Sequence, residues 1–193
     1  MNVIRVITGV CLLLGLSGCA SPAPHYYTLI TPAENAPSAI PPAAFVLRIQ
    51  PVTVPEQLNQ PQLVIRKSDG EIVISDSALW AAPLPEEIRS ALSAQLERSL
   101  NTTDIRELTP PPDKPVITLR VTVQQLDAWP QRHASLTARW QLRFDADEKM
   151  LTCRSQHQIA VTGGVPELIT AQQKLIAALA ADVSDAIKSR HCR

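Results

Sequence analysis

The 193-residue chain predicts an α+β fold: an antiparallel β-sheet with two amphipathic helices packed on one face. Three observations carry that expectation. From Val116 to Thr162 apolar and polar residues alternate with a period of two, as in half-buried antiparallel strands. Ile88, Leu92, Leu96 and Leu100 recur at helical spacing, and so do Leu168, Leu175, Ile176, Leu179, Val183 and Ile187. Between the amino terminus and the first helix, two β-rich runs flank Asp69-Gly70, a favoured hairpin turn when both central positions take positive φ.

Taken in order, the chain begins with a positive residue, Arg5, and an apolar run from Val6 to Leu14 that is too short to span a bilayer. Leu16-Ser17-Gly18-Cys19 closes this segment with small residues and a cysteine, and looks like the lipobox of bacterial lipoproteins. That resemblance implies a signal peptide over residues 1–18, a diacylglycerol on the Cys19 thiol and a third chain on the new amino terminus. Two or more acyl chains give lasting attachment where one gives only marginal binding. Ala20 and Ser21 follow, in place of the aspartate that generally retains such a chain at the inner membrane, so the anchor is expected in the outer membrane, facing the periplasm. Residues 19–24 then form a lipidated tether and residues 25–193 a single domain. The five residues after Cys19, two of them proline, reach roughly 15 Å, which keeps the body against the membrane.

His25-Tyr26-Tyr27-Thr28-Leu29 is the first expected ordered element, and Thr31 to Pro42 is an Ala/Pro-rich connector. Phe45 to Ile49 and Val52 to Val54 read as a strand interrupted near Pro51 and ended near Pro55. Leu63 to Arg66 and Glu71 to Ile74 form the hairpin. Pro83 and Pro85 frame a helix start, with Glu86 and Glu87 where the helix dipole favours negative charge. This helix should run to about Leu100, its apolar stripe opposite Glu87, Arg89, Ser93, Glu97 and Arg98. Three strands follow, and in the last of them Ser155 and His157 interrupt the apolar face, as a strand bend or a satisfied polar contact would. Gly163-Gly164 connects to a final helix after Pro166 whose carboxyl end carries Lys188, Arg190 and His191.

Composition narrows the function classes. Without the signal segment 175 residues remain, enough for one domain with a sizeable core. Seventeen basic against eighteen acidic side chains in that part argue against a nucleic-acid partner. Cys11 leaves with the signal and Cys19 is spent on lipid, so Cys153 and Cys192 remain as a pair in an oxidising compartment and should form a disulfide. A metal site with His157 and His191 is the competing idea. It is weakened because Cys153 and His157, four apart on a strand, lie roughly 13 Å from each other. Serine-hydrolase, zinc-protease, phosphate-loop and dinucleotide motifs are absent, which disfavours an enzyme and names no catalytic residue or cofactor. Trp80 and Trp129 lie outside clean strand or helix patterns; they are either plugs of the local core or partner contacts, and the proline-framed helix start favours a plug for Trp80.

Tyr26-Tyr27-Thr28-Leu29, Val52-Thr53-Val54-Pro55-Glu56-Gln57-Leu58 and Leu79-Trp80-Ala81-Ala82-Pro83-Leu84, in this order behind the lipobox, resemble the PqiC family of ABC-transport auxiliary lipoproteins, the membrane-integrity component of a paraquat-inducible system. The stretch from Gln131 to Gly164 carries no such motif. The resemblance implies an accessory outer-membrane lipoprotein that docks a periplasm-spanning MCE-domain protein, with phospholipid as the transported cargo. A tubular partner further implies a homo-oligomeric ring, since heterologous contacts can close on themselves. The rival reading is a periplasmic lipid-carrying chaperone, which needs an interior apolar cavity.

Overall fold

The computed structural model describes residues 23–32 and 40–192, so the expected signal segment and Cys19 lie outside the described residues, as do residues 33–39 of the connector. The α+β architecture is as expected, with seven strands and two helices among the described residues. The strands are β1 (His25–Tyr27), β2 (Val46–Ile49), β3 (Gln62–Arg66), β4 (Ile72–Trp80), β5 (Val116–Trp129), β6 (His133–Phe144) and β7 (Met150–Ala160). A 3-10 turn, Glu56–Leu58, lies between β2 and β3. Helix α1 (Leu84–Leu100) follows β4, and α2 (Val165–Ser189) follows β7.

Pairing departs from the expected single antiparallel sheet. The strands divide into a three-stranded sheet, ordered β1-β4-β3, and a four-stranded sheet, ordered β2-β5-β6-β7. Each has one parallel pair, β1 with β4 and β2 with β5. Alternation reveals which face of a strand is buried but says nothing of the direction of its neighbour, and strands of three or four residues carry little pattern. The long strands are antiparallel as read, Trp140 standing opposite both Val121 and Cys153. In β5 the register shifts between Val123 and Gln125, so Leu126 and Ala128 resume the buried face. Val52–Val54 makes no strand; Thr53 forms an isolated bridge to Thr122.

The β3–β4 turn also differs. No glycine among the described residues has positive φ, and Asp69 has none either. The chain turns over Ser68–Glu71, with Glu71 N–H donating to Ser68 O at 3.3 Å and Lys67 N–H to Glu71 O at 2.9 Å. This longer loop accommodates the reversal without the left-handed pair that a two-residue turn demands.

Both helices pack on the inner faces. Ile88, Leu92 and Leu96 of α1 and Leu168, Leu175, Leu179 and Val183 of α2 join Leu119, Val121, Leu136 and Leu142 in one core. Each helix ends in a left-handed residue, Asn101 or Arg190, whose N–H returns to Glu97 O or Ala186 O.

The side of α1 opposite its apolar stripe is not all at the surface. Glu87, Arg89 and Ser93 are buried. The reason lies in the short strands, which leave backbone groups that need partners. Glu87 accepts the Leu29 N–H just beyond β1, and Arg89 Nε donates to Ile49 O at the end of β2.

Candidate functional site

Two regions of the surface and its supports concern residues singled out in the sequence, and a third does not. The first is the amino-terminal strand. His25, Tyr26 and Tyr27 run parallel to Ala78, Leu79 and Trp80, and Ala81 N–H donates to Tyr27 O at 2.8 Å. Thr28 Oγ1 and Leu29 N–H both donate to Glu87 Oε2, at 2.7 and 2.8 Å, and Gln173 Nε2 on α2 donates to Thr28 O at 3.0 Å. Both helices thus grip the chain just past β1. Glu87 is 3% exposed, so this carboxylate is a latch and not a surface charge. Tyr26 points the other way and is 66% exposed.

Trp80 sits as a plug at the end of β4, 5% exposed, with its backbone N–H bonded to Pro61 O. Its remaining edge lines an open groove of about 390 Å³ with Pro61, Ala81 and Pro83. Trp129 is 7% exposed, and its ring is covered by the Arg132 guanidinium at 4.3 Å and the Arg66 guanidinium at 5.8 Å from the centroid. Arg66 is held there by Asp127 at 3.0 Å. Neither indole therefore offers more than a small exposed part to a partner. The two tryptophans do not share one site: Trp80 borders the groove, while Trp129 borders a polar bowl of about 610 Å³ with Gln125, His133 and Gln156.

The second region is the carboxyl-terminal corner. Cys153 on β7 and Cys192 beyond α2 are joined in a disulfide, their Cα atoms 5.6 Å apart. Around it Arg190 pairs with Asp147, stacks at 3.8 Å over Phe144, and accepts a hydrogen bond from Lys149 Nζ at its carbonyl, 2.9 Å away. The Arg190 hydrogen bond holds the Asp147 carboxyl below its ordinary value, against an opposing effect of desolvation and with help from the Lys149 backbone N–H. The metal alternative finds no support in the geometry, because both cysteines are bonded to each other and His157 turns to Asp182. Among the described residues no group of three metal-ligating side chains converges.

Ser155 and His157 prove to be satisfied polar contacts. Trp140 Nε1 donates to Ser155 Oγ at 2.9 Å, Ser155 Oγ donates to Asp182 Oδ2 at 2.5 Å, and His157 Nε2 meets the same oxygen at 2.8 Å. Serine and histidine converge on one carboxylate oxygen instead of on each other, so the imidazole is not placed as the base of that hydroxyl. The network ties α2 to β6 and β7.

The third region is the outer face of β5, β6 and β7, which no helix among the described residues covers. It carries Arg120, Arg139, Arg143 and Arg154, all exposed, among threonines and glutamines. Each stands at an ordinary outward position of the alternation, and their clustering depends on register. No helix among the described residues is long and apolar enough to cross a membrane.

Comparison with known proteins gives consistent relations. Residues 27–184 match the family described as ABC-type transport auxiliary lipoprotein component. The curated proteins called intermembrane transport lipoprotein PqiC from Escherichia coli strain K12 and from Shigella flexneri are each 34% identical over 89 residues, which is 45% of this chain and 48% of theirs. The chain spans about half the length of these curated relatives. Among solved structures, an uncharacterized protein superposes with a TM-score of 0.70 at 22% identity, over 86% of this chain and 99% of the other. A Xanthomonas campestris protein follows at 0.57 and 12% identity, over 84% and 91%. At these identities the likeness is one of fold.

Proposed function

The chain belongs to the family of ABC-type transport auxiliary lipoprotein components, and from that membership we propose that it is an outer-membrane-anchored docking component of an MCE-type intermembrane lipid transport system. In this reading Cys19 carries the lipid, the body is non-catalytic, and a periplasm-spanning MCE-domain protein seats on it to support membrane integrity. The observation that carries the proposal is the latch behind the tether: β1 is hydrogen-bonded into a sheet and Thr28-Leu29 is gripped by Glu87 and Gln173. A body joined to its anchor with so little slack cannot search the periplasm, which suits a fixed platform and not a shuttle. Exposed Tyr26, the second residue of β1, supports the same placement, since aromatic rings with a polar tip favour the interface of a bilayer. A ring of copies around the axis of the partner completes the proposal.

The carrier alternative rests on the groove beside Trp80, which is open and about 390 Å³. One purification separates the readings. The full-length protein, extracted with mild detergent from cells expressing the MCE-domain partner, is expected to bring that partner with it, as a multimer and with little phospholipid. The Cys19→Ser variant is expected to lose membrane attachment. Stoichiometric phospholipid without an MCE-domain protein would replace docking with carriage, and a strictly monomeric protein still bound to its partner would remove the ring.

A further inference from the structure

We propose that the open face of β5, β6 and β7 is a carboxylate-binding surface on which an acidic protein partner docks. The argument begins with register. Arg139 stands directly between Thr122 and Arg154, and Arg120 is one pair away, opposite Gln141. Arg143 lies opposite Thr118 and Met150. Four guanidinium groups therefore occupy neighbouring positions on three adjacent strands. Arg143 is paired with Asp145 at 3.2 Å. Among the described residues Arg120, Arg139 and Arg154 have no carboxylate within ion-pair distance.

Like charges directly opposite each other on a sheet are unfavourable. A chain with equal numbers of basic and acidic side chains does not acquire such a cluster through composition. The arrangement opposes folding stability locally, and among the described residues only Arg143 has a counter-charge, so a complement for Arg120, Arg139 and Arg154 is sought in a partner.

A second observation points to what the complement is. Between Arg120 and Arg143 lies a depression of about 120 Å³, floored by Thr118, Gln141 and Met150. Thr118 Oγ1 is buried there without a hydrogen-bond partner. Native proteins rarely leave a buried hydroxyl unmatched. Beside this depression Arg120 offers a guanidinium fork and Arg143 one shared with Asp145, and the fork geometry fits a carboxylate in two parallel bonds.

Carboxylates and phosphates share this chemistry. The surface favours the first source, because Met150 is the one exposed large apolar side chain on the face and nothing there could seat acyl chains. An acidic protein surface needs no such apolar ground. The inference names the face used in the docking reading and rests on that reading for a protein partner, but its test does not require the partner.

Full-length protein in neutral detergent would be titrated with a fluorescent oligoglutamate peptide, with oligoglutamine as the control. The expected result is glutamate-selective binding that weakens with salt. It should fall about tenfold or more in the Arg120→Gln/Arg139→Gln/Arg154→Gln variant. That variant should melt no lower than the parent, since the substitutions remove repulsion. Short-chain phosphatidylglycerol below its micelle concentration should fail to displace the peptide. Absence of peptide binding by the parent, equal binding by the variant, or displacement by the phospholipid would each overturn the proposal. Failure of MCE-partner capture alongside arginine-dependent peptide binding would instead leave the carboxylate surface standing and send the search to another acidic protein.

Discussion

Glu87 shows why single residues can be misread from a helical pattern. Its place in the first turn of α1 is explained by the helix dipole alone, and the spacing of Ile88, Leu92 and Leu96 sets it on the polar side. Burial comes from a partner 58 positions away, the Leu29 N–H, which no local pattern announces. Glu87→Ala leaves that donor buried and unmatched, at a cost of about 2–3 kcal/mol. Hydrogen exchange should then report loss of protection at the Leu29 amide; persistent protection there would mean the latch is held by something else. Asp147 makes a prediction of the opposite kind, visible only in acid. Its folded pKa is depressed by Arg190, so the contribution of the pair is complete above the ordinary carboxylate range and disappears as pH falls through the folded value. A carbon NMR titration should place the Asp147 midpoint below that of a solvated aspartate, and Arg190→Gln should return it. An unshifted midpoint in the parent would show that the pair does not persist in solution.

At the level of elements, what was legible followed from length and periodicity. Helices α1 and α2 and the long strands β5 to β7 repeat their pattern over several turns or pairs, so packing had to agree with it. The parallel pairing of β1 and β2 was not legible, because three or four residues cannot encode a direction and their partners lie far away in the chain. The arginine surface escaped for a related reason: each arginine sits at an ordinary outward position, and only the register of three strands brings them together. The disulfide was legible from counting, and its position gives it a measurable role. It closes a loop with a separation of 39 residues between the edge strand β7 and the end of α2. In the chain-entropy account this contributes about 4 kcal/mol, so Cys153→Ala/Cys192→Ala should lower the melting temperature by roughly 10 °C. A change of only a degree or two would assign the corner to Arg190, Lys149 and Asp147 instead.

On the scale of the whole molecule, one core joins both sheets and both helices, so the latch at one end and the disulfide at the other brace a single body. In the proposed anchoring, a load drawn along β1 would be met by its parallel pairing with β4. Hydrogen bonds loaded that way share the force in shear, where a hairpin pulled from its open end would unzip them one by one. The Glu87 carboxylate and Gln173 then act as the far stop of this mechanical handle. Drag on a seated assembly would be delivered into the middle of the protein without first peeling away its margin.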